Sequence, residues 1–306
     1  MTLLLVQTLN GLQLGVLLFL VAAGLTLVFG VLDVVNLAHG VQYMLGAYFA
    51  VLAMRWTGSF WVAIPAAAAM SLVAGLVLHA AVFRHLMGRD HLDQVLATYG
   101  VILFVEEGVR AVMGVAPQAL NLPALLSGTV PLPGGLLYPV YRLVLLAAGL
   151  LAAVVLWVVI ERTRAGMLVR AGASNAPILS ALGVDVGRLF AGVLGVGAML
   201  AGFAGAAAGP LVSVDPGMGG TVLILAFVVI VVGGVGSVRG AFAAAVLVGL
   251  SDTLGRMLIT DGLRLVLAPS AARMAGPALA SMVIYLVMAG ILAFLPQGLL
   301  PARGRA

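Results

Sequence analysis

From Leu3 to Phe29 the chain runs without a charged side chain, and most of its polar residues, Gln7, Thr8, Asn10 and Gln13, sit near the start of that run. A run of this length exceeds the roughly 20 residues that a helix needs to cross the hydrocarbon core of a bilayer. Inside lipid no water is available to pair with backbone N–H and C=O groups, so such a chain is confined to elements that satisfy their own backbone. Further apolar runs follow at 41–54, 61–83, 94–113, 141–160, 189–210, 221–232, 241–250 and 279–295. The whole chain of 306 residues is 63% hydrophobic and 8% charged, whereas a soluble domain carries roughly 25% charged residues. The runs predict an all-α fold: a polytopic membrane helix bundle of about eight spans, forming a single transmembrane domain over 1–306. No basic residue precedes Arg55 and the first run outlasts a signal-peptide apolar region, so the first span is expected to stay in the protein.

Charge and cysteine usage exclude several functions. All fifteen basic residues are arginine, and the formal net charge is +5. These arginines stand in short gaps between apolar runs, where positive charge orients spans and meets anionic membrane lipid, so no nucleic-acid partner is expected. Cysteine is absent, which removes thiolate catalysis, cysteine zinc sites and disulfides. No G-x-x-x-x-G-K-[ST] phosphate loop is present, and no convincing nucleophile and base pair stands out, so the chain reads as neither an ATPase nor an intramembrane enzyme.

Two interruptions of the apolar pattern carry the functional reading. The first, within VLDVVNLAHGVQYMLGAY at Val31 to Tyr48, brings Asp33, Asn36 and His39 to membrane depth. A polar group there is costly unless it lines a cavity or finds partners. The second is GGVGSVRG at Gly233 to Gly240. Two hundred residues apart, Val31 matches Val231, Val35 matches Val235, His39 faces Arg239 and Gly40 matches Gly240, and each interruption separates two short apolar runs. Short, glycine-broken segments at corresponding places in two halves point to a transporter's binding region. The chain is therefore expected to hold broken or re-entrant helices in two related halves, with a solute pathway at Asn36, His39, Gly40, Gly233, Gly234, Gly236 and Ser237. A resuming helix offers unpaired N–H groups to a carboxylate, and the helix before it offers carbonyls to a cation. No metal is expected, because a lone histidine beside an asparagine supplies too few ligands, and no cofactor is implied.

Other polar residues have plainer readings. Glu106 and Arg110 stand at i, i+4 and form an internal ion pair or an interfacial anchor. The Pro- and Gly-rich stretch from Gly114 to Pro139 is read as a loop or a short interfacial helix. Glu161 to Arg188 is the most polar segment; its arginines place it in the cytoplasm, and Ala171, Gly172, Ala173, Ala176, Ile178, Leu179 and Leu182 fit a short surface helix stopped at Gly183. On residues alone it is equally an ordinary basic loop. Ser251 to Ala278, with Arg256, Arg264 and Arg273, reads as an amphipathic segment on the membrane surface. Arg303 and Arg305 argue for a cytoplasmic carboxyl terminus.

Four stretches, in order, resemble a known family: GLTLVFGVLDVVNLAHGVQYMLGAY from Gly24, RAGMLVRAGASNAPILSALGVDVGR from Arg164, GGVGSVRGA from Gly233, and LPQGLLP near the end. They are similar to the shorter permease subunit of branched-chain amino-acid ABC importers, with urea and short-chain amide importers as close relatives. The resemblance implies an ATP-driven importer of the inner (plasma) membrane. In it this chain pairs with a second permease subunit, two ATP-hydrolysing subunits and an extracytoplasmic solute-binding protein. It also implies that the segment from Arg170 to Gly183 is the helix seated on the ATPase, with Arg170, Ala171, Ala173, Ala176, Leu179, Leu182 and Gly183 as coupling residues. Where many relatives carry acids in that helix, this chain has Ser174, Asn175 and Pro177 and no acid before Asp185. With that helix and the carboxyl terminus both cytoplasmic, Arg256, Arg264 and Arg273 fall outside, against the positive-inside rule. An ion-coupled secondary transporter or channel also uses broken helices; it would need a string of ionisable residues through the bundle, and Asp33, Glu106 and Glu107 are few.

Overall fold

The computed structural model describes residues 2–32, 34–133 and 135–301; Asp33, Arg303 and Arg305 lie outside the described residues. The long first run forms α1, Thr2–Leu32, and α2, His39–Thr57, follows the first interruption. Helix α3, Phe60–Leu78, passes through a π-helical turn, His79–Phe83, into the single turn α4, Arg84–Leu86. Then come α5, His91–Met113, a two-stranded hairpin of β1, Thr129–Pro131, and β2, Leu137–Pro139, and α6, Val140–Arg162. The remainder is α7, Arg164–Ala181; α8, Val186–Ala208; α9, Met218–Gly233; α10, Val238–Leu263; and α11, Pro269–Phe294. Six helices among the described residues are long and apolar enough to cross a membrane: α1, α3 with its extension, α6, α8, α10 and α11. Helices α2, α5 and α9 run beside them; α9 is shorter, and α5 carries Asp93, Glu106, Glu107 and Arg110.

Helix α1 is apolar on every side because it is surrounded on every side. It packs against α10, α8, α9 and α6, and its stretch from Leu18 to Leu25 is buried almost without exposure. Since lipid supplies no hydrophobic drive between helices, close approach over small residues does the packing. At the α2–α8 crossing a methyl group on Gly46 would lie 2.1 Å from the carbonyl oxygen of Gly202. The backbones themselves touch there. A methyl on Gly24 would likewise meet the Gly197 carbonyl at 2.6 Å.

The contacts define two ends. At one, the hairpin end, Asn10 of α1 accepts hydrogen bonds from Tyr138 (3.0 Å) and Arg142 (2.6 Å), Arg55 of α2 donates to Gln118, and Gln118 pairs with Val214 beyond α8. At the other lies α7, together with the last turn of α1 and the second interruption: Gly30 abuts Gly236, and Arg239 pairs with Glu161 at 2.9 Å. Helices α1 and α9 both run toward the α7 end, and each is followed by a break and a helix of opposite sense.

Two expectations are corrected, and the Gly114 to Pro139 connection, read as a loop or a short interfacial helix, resolves to the first: among its described residues it holds a β-hairpin and no helix, its strands pairing Val130 with Tyr138. Arg110 pairs with Glu107, one residue nearer than Glu106. Ser251 to Ala278 is no surface segment: it continues α10 to Leu263 and opens α11 at Pro269. Helix survives there because Arg256 folds back on Asp252, with contacts of 2.7 to 3.0 Å, and because Gly276 leaves room for Thr260, where a methyl would lie 2.1 Å from the threonine hydroxyl. Arg264 pairs with Asp261 at 3.0 Å. The three arginines thus lie toward the end opposite α7, each held by an acceptor on its own helix.

The carboxyl-terminal LPQGLLP has a structural task the sequence did not disclose. Helix α9 ends at Gly233, where its last carbonyls need partners. Leu299 donates its N–H to Val232 (2.8 Å) and Leu300 donates to Gly233 (3.1 Å), so the tail straps the end of α9. Gly298 turns there at φ 85°, and a methyl on it would lie 2.4 Å from the Gly234 nitrogen.

Two outcomes follow from this packing. Gly46→Leu forces apart two touching backbones at about 1–3 kcal/mol or more, lowering the melting temperature of the detergent-solubilised protein by about 5 °C or more. Gly290→Ala, in open space on α11, leaves it nearly unchanged. Gly298→Ala releases the strap, so a cysteine placed at Leu300 is labelled severalfold faster by a maleimide than in the parent; equal rates would refute the strap.

Candidate functional site

The first break spans 34–38, between the end of α1 and the start of α2. Part of its backbone is paired from outside the break. Val35 donates its N–H to Oε1 of Gln94 at 3.1 Å, and Gln94 in turn donates to the carbonyls of Arg89 (3.1 Å) and Leu86 (3.4 Å). A buried amide in the first turn of α5 therefore pins the break to the preceding connection. The Asn36 carbonyl accepts weakly from the His39 N–H at 3.4 Å, opening α2 without a side-chain cap.

His39 begins α2 and is fully buried. Its Nε2 lies 3.0 Å from the carbonyl of Val21, midway along α1; a carbonyl can only accept, so Nε2 carries the proton and Nδ1 is left with a free lone pair. Gly24 makes room for the ring, since a methyl there would lie 3.0 Å from its Cε1. Gly40 sits directly against α9, where its missing methyl would stand 2.5 Å from the Gly219 carbonyl. Asn36 and Gln42 are as buried as His39, and neither side-chain amide has a hydrogen-bond partner among the described residues. Burying such groups unpaired costs about 1–3 kcal/mol each. Asn36, His39 and Gln42 thus form a polar node at the broken start of α2, inside a shell of apolar residues. Gln42 and Gln94 were not singled out by the sequence; the available signal was an amide one turn after His39 and a lone amide at the mouth of an apolar run.

The second break is built differently. Helix α9 ends at Gly233, Gly234 (φ 100°) and Gly236 (φ 81°) take backbone conformations that side chains resist, and α10 starts at Val238. Ser237 is the N-cap of α10: its Oγ accepts from the Gly240 N–H at 3.1 Å. Gly233 packs on Gly240, a methyl on either falling within 2.5 Å of the other's carbonyl oxygen. Of the residues expected along a solute pathway, Asn36, His39 and Gly40 therefore come together between α1, α8 and α9, whereas Gly233, Gly234, Gly236 and Ser237 make a tight turn at the α7 end. The last turn of α1 connects the two sets through Gly30 and Gly236. Two apolar cavities of about 200 and 250 Å³ open elsewhere, and neither is lined by Asn36, His39 or Gly40.

Helix α7 is two short helices joined at an elbow. Thr163 caps the first by accepting from the Gly166 N–H at 3.2 Å, and Arg170 reaches back to the Ile160 carbonyl at the end of α6. Asn175 leaves helical geometry (φ −157°, ψ 92°), and its Oδ1 accepts from the Ile178 N–H at 3.0 Å, so it caps a second helix with Pro177 in its first turn. That helix closes at Gly183 (φ 84°): Val184 donates to Leu179 and Gly183 donates to Ser180, the glycine-terminated pattern expected for its stop. Leu179 is buried against Gly172, while Ala173, Leu182 and Gly183 are exposed and Ala171 and Ala176 half-buried. Ile178 (59% exposed) and Leu182 (76%) project from the tip. The elbow presents an apolar knob on a basic base, and the residues that look like departures from a charged surface helix, Asn175 and Pro177, are the ones that make the bend.

A protein family described as branched-chain amino acid transport system / permease component matches residues 7–292. The high-affinity branched-chain amino acid transport system permease protein BraD of Pseudomonas aeruginosa is 29% identical over 269 residues, covering 83% of this chain and 87% of its own. The permease protein LivH of the same kind of system in Escherichia coli K12 is 27% identical over 262 residues, covering 81% and 84%. The probable LivH permease of Methanocaldococcus jannaschii is 27% identical over 253 residues, covering 78% and 76%. No solved structure matches the chain. With the match running from the first half of α1 into the last turn of α11, the chain belongs to the family of permease components of branched-chain amino acid transport systems.

Proposed function

We propose that this chain is the membrane-spanning permease subunit of an ATP-driven ABC importer, carrying branched-chain amino acids or similar small polar solutes delivered by an extracytoplasmic solute-binding protein. It works in the inner membrane beside a second permease subunit, and two ATP-hydrolysing subunits sit on the α7 end. The observation that carries the reading is the polar node at a broken helix start, where His39 is held through Nε2 alone and the buried amides of Asn36 and Gln42 have no hydrogen-bond partner among the described residues. Groups kept at such cost inside an apolar bundle are supported by what they do when the bundle opens: they offer hydrogen bonds to a solute's charged ends. In the conformation described here the node is enclosed by α1, α8 and α9. The second break, held by glycines and the carboxyl-terminal strap, is a hinge at the α7 end rather than a second polar contact.

The elbow of α7 supplies the link to ATP. Its exposed Ile178 and Leu182 fit an apolar socket on an ATPase, with contact by shape in place of the acids that relatives carry there. The buried Leu179 and the Arg170 bond to α6 transmit the load into the bundle.

Two measurements test this. Asn36→Leu replaces an unpaired amide with an apolar side chain of similar size. The assembled transporter should become more heat-resistant by about 1 kcal/mol while ATP-dependent leucine uptake into proteoliposomes falls by about tenfold; unchanged uptake would sink the pathway assignment, and uptake by this subunit alone without ATP would sink the importer assignment. Ile178→Asp with Leu182→Asp leaves the folded permease intact by circular dichroism and cuts co-purification of the ATP-hydrolysing subunits by about tenfold or more, as loss of an interface hot spot does. Full retention of those subunits would remove α7 from the interface.

A further inference from the structure

On the bundle's outer face, at the α7 end, α1, α6 and α10 leave a groove of about 250 Å³ lined by Phe19, Leu150, Ala153, Val154, Trp157, Val238, Arg239 and Phe242. Phe19 and Phe242 meet edge to face at 5.2 Å and form its floor. Leu150, Val154 and Trp157 are partly exposed along one wall.

The lining separates by depth. Phe19, Leu150 and Phe242 are apolar and lie toward the membrane interior, while the charged groups gather at the α7 end. Arg239, with its side chain half exposed, is paired with Glu161, and Arg162 stands with its guanidinium carbon 5.7 Å from the centre of the Trp157 ring. Trp157 precedes Arg162 by five residues, about 7 Å along a helix axis, so the tryptophan sits at the depth where aromatic rings favour the membrane interface. Glu161 offsets one of the two arginines, leaving a net positive mouth that the N-terminal end of α10 reinforces.

A neighbouring helix is a poor occupant. Wherever this chain packs helix on helix most closely, small residues meet: Gly46 on Gly202, Gly40 on Gly219, Gly24 on Gly197. The groove instead is walled by Phe19, Phe242, Trp157 and Leu150, with Ala153 the one small residue among its lining. Bulky walls around a narrow apolar slot, ending in arginine at interface depth, suit an acyl chain below a phosphate.

We propose that this groove binds one anionic diacyl phospholipid, an acyl chain lying over Phe19 and Phe242 and the headgroup phosphate held by Arg239 and Arg162. The lipid would then bridge α6 and α10 beside the Glu161–Arg239 pair, next to the second break.

Native mass spectrometry of the full chain, delipidated in detergent and titrated with phosphatidylglycerol or phosphatidylcholine, tests it. One bound phosphatidylglycerol is expected, retained about fivefold more strongly than phosphatidylcholine, the ratio that roughly 1 kcal/mol of arginine–headgroup attraction gives. Ala153→Trp fills the slot and should abolish retention of both lipids; Arg162→Gln with Arg239→Gln should leave one lipid bound and equalise the two. Equal retention by the parent chain overturns the proposal, as does retention untouched by Ala153→Trp. If Ala153→Trp instead releases the second permease subunit from the assembled transporter while lipid stays bound, the groove is a protein interface and the proposal fails. Should Ala153→Trp not fold, the arginine pair alone decides: persistence of the anionic preference without both guanidinium groups overturns it.

Discussion

Every backbone N–H and C=O at membrane depth must find its partner inside the protein, and the rest of this structure can be traced to how that requirement is met where helices stop. Along a helix the requirement costs nothing further. At the two breaks it has to be met from elsewhere in the chain, and each break recruits a distant segment. Gln94, at the head of α5, accepts from Val35 in the first break. Leu299 and Leu300, close to the end of the described chain, donate to the final carbonyls of α9 at the second. Both breaks are therefore supported irregularities, and the supporting groups lie far away in sequence.

That support makes the contrast between the breaks meaningful. The second break has its polar groups spent: Ser237 caps α10, and the glycines take conformations that only they adopt readily. Among the described residues the first keeps the amide groups of Asn36 and Gln42 unpaired in full burial, and His39 is tied through one nitrogen only. Three buried polar side chains thus stand within two turns of chain at this break. The two breaks thus differ in kind: a node with unpaired amides and a turn whose polar groups are paired. Around them the close glycine crossings hold α2 against α8 and α9.

The same economy explains the arginines at the hairpin end. Arg256, Arg264 and Arg273 looked out of place when counted as free positive charges. In the folded chain each reaches an acceptor within one turn of its own helix, so a helix rather than a surface segment is the stable state of that stretch. Likewise Asn175 and Pro177, read against charged relatives as a loss of contact residues, are a cap and a first-turn proline that shape the α7 elbow.

The sequence by itself determined the environment, the helical class and the places where the helices break, because apolar run length and a polar or glycine interruption within it are local properties that lipid leaves no freedom to reinterpret. It also marked Asn36, His39, Gly40 and the 233–237 turn, and the glycine stop of α7. What it could not contain was pairing. Gln94 under the first break, the strap on α9, the choice of Glu107 over Glu106 for Arg110, and the continuation of α10 through Arg256 depend on which surfaces meet. Those meetings are set by backbone approach over particular glycines, a relation between positions as distant as Gly11 and Leu250 that no window along the sequence expresses. The sequence placed both breaks at equal standing as a solute pathway; only the tertiary structure separated a polar node from a tight glycine turn, because only it shows whose hydrogen bonds are already taken.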